Sequence, residues 1–209
     1  MEGKLIVFEG ICGSGKTTIC ENLMKKFNDH GIKCIYNHGA FTYTPTGRLY
    51  KELTKDMHIT ERTKYYIADL IHNLYNFILP QIEKGIIVLQ DRYIYSIVAY
   101  NKSISWKEKQ DYNVKEVFQT LRKYKILKEP DLTILCYASE NIINNRLMLK
   151  EKTYVHTDYL ENNQLIKKTQ NMYSDFIKNE KEYMLVDTSK ITDPHSICQK
   201  IYNRILEGV

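Results

Sequence analysis

Gly10-Ile11-Cys12-Gly13-Ser14-Gly15-Lys16-Thr17 is the stretch on which the fold turns. It satisfies G-x-x-x-x-G-K-[ST], and its surroundings are the ones that pattern needs. Leu5-Ile6-Val7-Phe8 ahead of it reads as a short buried strand, and Ile19, Leu23, Met24 and Phe27 behind it fall at helical spacing over 16–29. Gly10, Gly13 and Gly15 let the backbone wrap closely and turn N–H groups inward, which makes a concave seat for phosphate. The following helix N-terminus adds positive potential there. In this reading Lys16 reaches the β- and γ-phosphates, Thr17 offers its hydroxyl to Mg²⁺, and Ser14 and Thr18 belong to the same binding segment. The segment therefore points to a nucleoside triphosphate bound with Mg²⁺.

Outward from the loop, strand-like and helical stretches alternate. Gly31 closes the first helix and leads into a strand at Cys34-Ile35-Tyr36. Residues 60–84 read as one long helix with Ile67, Leu70, Ile71, Leu74 and Ile78 on one side, and Pro80 either bends it or starts its final turn. Gly85 ends it before a strand at Ile86–Leu89. A helix over 108–126 follows, then a break at Pro130, a strand at Leu132–Tyr137 and a helix over 139–149. Residues 150–157 are polar with no regular period, 158–178 resume helical spacing, Tyr183–Val186 makes a fifth strand and 195–206 a closing helix. Near-continuous apolar strands between helices predict an α/β fold: a five-stranded parallel sheet with helices on both faces. No repeat or linker divides residues 1–209, so the chain reads as a single domain, with the irregular 150–157 segment between two helices as a candidate mobile loop.

The composition agrees. Of 209 residues, 43% are hydrophobic and 26% charged, enough to build a core and against general disorder. The longest apolar runs are about five residues against the roughly 20 of a spanning helix, so no membrane segment is expected. No signal or transit peptide is evident, and five cysteines (Cys12, Cys20, Cys34, Cys136, Cys198) without a CxxC pair suit a reducing cytoplasm. A net charge of +5 permits anionic small substrates. The positives at Lys115, Arg122, Lys123, Lys125 and Lys128 read as a solvated helix face, and nucleic acid is not expected as a partner.

Asp91-Arg92-Tyr93 follows directly after the third strand, at the end of a parallel sheet where residues face the ligand crevice. Asp91 there can meet the metal or its waters, and Arg92 a transferring phosphate. The run Asp91-Arg92-Tyr93-x-x-Ser96-x-x-Ala99-Tyr100, the loop after Phe8-Glu9, Pro130-Asp131-Leu132-Thr133 and Leu185-Val186-Asp187-Thr188 recur in the order found in thymidylate kinases, which the chain resembles over nearly its whole length. The resemblance implies a nucleoside-monophosphate kinase with the three-layer P-loop kinase fold and a short lid over about 146–158, Mg·ATP as donor, a nucleoside monophosphate (dTMP first) as acceptor, and often a homodimer. It places Arg92 between the phosphates of donor and acceptor, Ser96 and Tyr100 on the acceptor wall, and Asp187 beside the adenine. Some members of the family carry an arginine inside the loop, but none of the variable loop positions Ile11, Cys12, Gly13 and Ser14 is basic, so that cation is expected from Arg146, Lys150 or Lys152 in and before the lid.

Three acceptor-side positions depart from the family. Cys12 stands where an acidic loop residue is usual, and its place near a helix N-terminus and Lys16 predicts a lowered thiol pKa. Asn37-His38-Gly39-Ala40-Phe41 offers no arginine after the second strand, leaving His38 and a base-stacking Phe41 as substrate candidates. The long helix reads Ala68-Asp69-Leu70, and leucine cannot replace a bidentate arginine fork. These losses keep two other readings open: a deoxynucleoside kinase, which would need a carboxylate that residues 34–41 lack, and a non-catalytic nucleotide-binding module.

Overall fold

A computed structural model of the chain describes residues 2–39, 45–54, 56–108, 113–149, 163–178, 181–189 and 194–208. In chain order its elements are β1 (Leu5–Glu9), α1 (Lys16–Asp29), β2 (Cys34–His38), α2 (Pro45–Thr54), α3 (Ile59–Asn73), a π-helical turn (Leu74–Ile78), α4 (Leu79–Glu83), β3 (Ile87–Asp91), α5 (Ile94–Glu108), α6 (Val114–Lys123), β4 (Leu132–Tyr137), α7 (Glu140–Met148), α8 (Asn163–Ile177), β5 (Tyr183–Asp187) and α9 (Pro194–Leu206).

Side chains in a strand alternate between the two faces of the sheet, and β1 uses both. Ile6 and Phe8 pack with Ile19, Leu23 and Phe27 of α1 and with Ile201 and Ile205 of α9. Leu5 and Val7 pack on the other face with Ile67 and Leu70 of α3 and Ile97 and Val98 of α5. A third cluster joins Ile11 of the loop, Tyr95 of α5, Ile143 of α7 and Ile166 and Tyr173 of α8. Each such fully buried large side chain contributes about 1.5–3 kcal/mol relative to exposure. The predicted three-layer α/β architecture is what forms, with all five strands parallel in the order β2-β3-β1-β4-β5. Phe8 lies beside Asp91 and Ile134, His38 beside Asp91, and Tyr137 beside Asp187, so the carboxyl ends of the strands come level along one edge. Connections run to one side of β1 through β3 and to the other side afterwards, which opens the crevice above β1. No helix among the described residues is long and apolar enough to cross a membrane.

Two helix predictions shift. The long helix spans Ile59–Glu83 but is not uniform: the Leu79 N–H donates to the Leu74 carbonyl, five residues back, just before Pro80. A proline ring clashes with the carbonyl four residues back, and a wider π turn relieves it, so Pro80 opens a new helical segment. Of the helix expected over 108–126, Glu108 belongs to α5, residues 109–112 lie outside the described residues, and α6 starts at Val114, where the Asn113 side chain caps it by accepting from the Glu116 N–H. The α2 helix has no counterpart in the sequence reading: Leu49 and Leu53 face solvent, 55% and 52% exposed, so its apolar residues do not mark a core face. Of the positives read as a solvated face, Arg122 pairs with Glu129 at 3.0 Å and lies over the Tyr95 ring, and Lys128 pairs with Asp131 at 3.1 Å, while Lys115, Lys123 and Lys125 are exposed.

Candidate active site

The loop between β1 and α1 is built from left-handed glycines. Gly10 has φ +133°, and a Cβ placed there would meet the Cys136 carbonyl oxygen at 2.2 Å, so β4 leaves room for glycine only. Gly15 has φ +87° and turns the chain into α1. Lys16 is buried, and its Nζ donates to the Gly10 and Ile11 carbonyls, both at 2.9 Å, and toward Ser14 Oγ. Burial, then the Arg92 charge, lowers the Lys16 pKa, with Asp91 opposing. Thr18 faces outward from the first turn of α1.

Asp91 ends β3 under this loop. Its Oδ2 accepts from Thr17 Oγ1 at 3.0 Å and from the Tyr36 hydroxyl at 3.1 Å, while its buried Oδ1 has no hydrogen-bond partner among the described residues. Burial pushes this carboxyl up, but Lys16, Arg92 and His38 with the Thr17 hydrogen bond outweigh it and hold it below the usual range. An ionised carboxylate oxygen with spare lone pairs beside a threonine hydroxyl is a donor pair suited to Mg²⁺, which takes one or two protein oxygens and completes its shell with phosphate and water. Thr17 and Asp91 thus fit the predicted metal.

Arg92 carries a left-handed backbone, φ +76°, uncommon for a side chain of its size. Its surroundings lock it: the Arg92 N–H donates to Phe8 O at 2.8 Å, and its carbonyl accepts from Gln90 Nε2 at 2.9 Å, which Asn37 fixes in turn. A backbone held this way costs about 1–3 kcal/mol and persists where neighbours over-determine it. The guanidinium reaches back across the loop. Its Nη1 donates to Gly10 O at 3.3 Å and Ser96 Oγ at 3.2 Å, and its Nη2 to Cys12 Sγ at 3.1 Å and the Tyr100 hydroxyl at 3.3 Å. Burial opposes its charge, but Tyr100, Cys12, Tyr173 and Asp91 together keep its pKa well above the ordinary value. Cys12 therefore sits against Arg92, while the Lys16 ammonium donates to its own loop.

Ser96 lies at the bottom of this group, 5% exposed, bound to Glu9, Tyr173 and Arg92. Tyr100 is half-buried and accepts from the Cys12 N–H at 3.2 Å. His38 is half-buried at the end of β2, with its pKa lowered by burial, and then by Arg92 and Lys16 against the opposing pull of Asp91.

On the opposite flank Arg146 of α7 stitches the loop to the end of β5. Its Nη1 donates to Gly13 O at 3.0 Å and Thr188 Oγ1 at 2.9 Å, and its Nη2 to Thr188 O at 2.8 Å. Asp187 is turned to the neighbouring backbone, where Oδ1 accepts from the Ser189 N–H at 2.8 Å. Phe41, Lys150 and Lys152, with most of the expected lid, lie outside the described residues.

Leu70 packs in the apolar cluster on the α3 face, so this helix presents no cation at that position. Two turns earlier Arg62 donates to the carbonyls of Thr54 at 2.9 Å and Met57 at 3.1 Å. Tyr66 stands near it: burial raises the Tyr66 pKa, and the charges of Arg62 and Arg92 pull against that rise. Arg62, Glu9, Tyr36, Tyr173 and Thr188 were not singled out as site residues from sequence. Glu9 and Thr188 carried one available signal, since each stands at or just past the carboxyl end of a strand.

A family model described as thymidylate kinase matches residues 8–196. The thymidylate kinase of Brachyspira hyodysenteriae is 33% identical over 214 residues, covering 100% of this chain and 96% of that protein. The thymidylate kinase of Buchnera aphidicola is 31% identical over 218 residues, covering 96% of this chain and 95% of that protein. A probable thymidylate kinase of Pyrococcus abyssi is 38% identical over 108 residues, covering 48% of this chain and 52% of that protein.

Proposed function

The chain belongs to the thymidylate kinase family, and from that premise we propose how its residues carry out transfer of the ATP γ-phosphoryl to dTMP, giving dTDP and ADP. The observation that carries the reading is the convergence of the loop with the Asp91-Arg92 turn. Thr17 Oγ1 lies 3.0 Å from Asp91 Oδ2, and Arg92 Nη1 3.3 Å from the Gly10 carbonyl.

The acceptor is a phosphate monoester, already an anion, so no strong general base is needed; positioning and charge stabilisation supply the catalysis. The loop N–H groups of Gly13–Thr18 and the Lys16 ammonium hold the β- and γ-phosphates. Arg92 binds where charge is shared between donor and acceptor, as a fork with donors on both nitrogens. Thr17 and Asp91 would hold Mg²⁺, which would supply charge neutralisation to the donor phosphates. Arg146 serves as the cation at the base of the lid, Asp187 borders the adenine, and Tyr100, His38 and Phe41 line the acceptor side. The same reading takes the working species as a cytoplasmic homodimer, which sedimentation velocity at micromolar concentration tests.

Incubation with Mg·ATP and a panel of nucleosides and nucleoside monophosphates, read by ADP release, tests the reaction. Turnover with dTMP is expected. Turnover with nucleosides alone overturns the assignment. Alanine substitution of Arg146, Lys150 and Lys152, one at a time, tests the lid: at least one variant should lose most of kcat, and three variants near wild type overturn that role.

A further inference from the structure

Through the Ser96 hydroxyl, two side chains from distant parts of the chain, Glu9 and Tyr173, reach Arg92. Proton bookkeeping fixes the direction of every bond. Glu9 is fully buried, and its Oε1 already accepts from the Tyr93 and Tyr95 N–H groups at 3.0 Å each. Its Oε2 accepts from the Ser96 hydroxyl, so Ser96 spends its one proton there. Arginine only donates, so Arg92 Nη1 takes one Ser96 lone pair, at 3.2 Å. One lone pair is left, and the Tyr173 hydroxyl, 1% exposed and 2.9 Å away on α8, donates into it. The hydroxyl is saturated, and each partner holds the others in place. Networks of this kind are worth more than their pairwise parts.

We infer that Tyr173 is a positioning residue for Arg92, acting through the Ser96 hydroxyl that Glu9 orients. The inference rests on Arg92 serving the proposed phosphoryl transfer. It also moves Ser96 from the acceptor wall to the support beneath the arginine. Tyr173 arrives from the helix packed along α5, so the pitch of α8 against α5 sets where the guanidinium fork stands.

Tyr173→Phe keeps the ring and its packing and deletes only the donor. With dTMP and Mg·ATP, kcat should fall by roughly tenfold, inside the range that misplacing a positioned group costs. KM for ATP should stay within about twofold, because the loop and Lys16 bind the donor. In the Arg92→Ala background the same change should cost less than about twofold, since the group it positions is gone. A second readout needs no turnover. Arg92 Nη2 lies 3.1 Å from Cys12 Sγ, and the other four cysteines are 0–4% exposed, so carbamidomethylation of the protein without nucleotide reports on Cys12. Loosening the guanidinium withdraws a cation from the thiolate, so both Tyr173→Phe and Arg92→Ala should slow that reaction, by about threefold or more. A kcat loss of the same factor in both backgrounds makes Tyr173 an ordinary core residue and overturns the inference, as do unchanged kcat and unchanged alkylation in Tyr173→Phe. Should dTMP fail as acceptor, the alkylation arm still decides the positioning role, so the two readings fail separately.

Discussion

Lys16 donates to two carbonyls of its own loop, so the ammonium is held beside the phosphate seat by the backbone that forms it. Lys16→Ala removes the cation from a water-poor loop and should lower kcat/KM by about 10²–10³, measured by coupled ADP release. His38 gives a pH test. Burial first, then Arg92 and Lys16, lowers its pKa below the ordinary 6.5. The unfolded chain therefore binds the extra proton first as pH falls, and His38 withdraws stability from about pH 6.5 down through its folded value. Glu9 acts in the opposite sense: burial raises its pKa from 4.5, so the folded chain gains protons first and this group adds stability as pH falls through the raised value. Comparing wild type with His38→Asn isolates the histidine. The drop in Tm between about pH 7 and pH 5 should be smaller in the variant, and equal drops would contradict the assignment. Asp91 and Arg92 were legible in the sequence because a strand end followed by Asp-Arg has one place to point. Ser96 was legible as a neighbour of the site, but nothing local tells whether a helix serine faces a pocket or a buried glutamate.

Elements carry a different kind of information. The helix α5 is apolar on nearly every side over Ile94–Ala99 because it is packed between the sheet, α3 and α8, so helical periodicity has no stripe to display there. The start of α6 is set by one side chain. Asn113 accepts from the Glu116 N–H at 3.3 Å and donates to the Glu116 carboxylate at 3.0 Å. Asn113→Ala should cost about 1 kcal/mol in chemical denaturation and leave kcat unchanged, because the cap is remote from the loop. Gly10 excludes any side chain twice, through its φ of +133° and through the Cys136 carbonyl oxygen, which would lie 2.2 Å from the Cβ of any other residue. Gly10→Ala should abolish ATP binding in a calorimetric titration, and binding at wild-type affinity would mean that the loop can shift away from β4. The sequence motif marked this glycine, while its reason, a neighbouring strand 126 residues later, is visible only in the packed sheet.

At the scale of the whole molecule the site is a meeting of segments that are remote in sequence. Thr188 after β5 donates to Ser14 O at 3.0 Å, and Arg146 reaches both Gly13 O and Thr188. Residues 13, 146 and 188 thereby close one ring around the loop. The central strand β1 contributes side chains to both apolar faces. Unfolding followed by Trp106 fluorescence and by far-UV circular dichroism should give coincident single transitions, as expected of one domain. Two separated transitions would divide the chain.

The sequence by itself determined the layered α/β class, the phosphate loop and the pairing of that loop with Asp91-Arg92. Each of these is written in local patterns: apolar runs of strand length, helical spacing, and glycines required by backbone geometry. Only the tertiary structure decided what surrounds Arg92. The Glu9, Ser96 and Tyr173 side chains meet across 77 to 87 residues of chain, Arg62 holds the α2–α3 junction, and Leu70 turns into the core. A hydrogen bond between side chains depends on where packed elements bring them, and periodicity along one element carries no record of its neighbour's register.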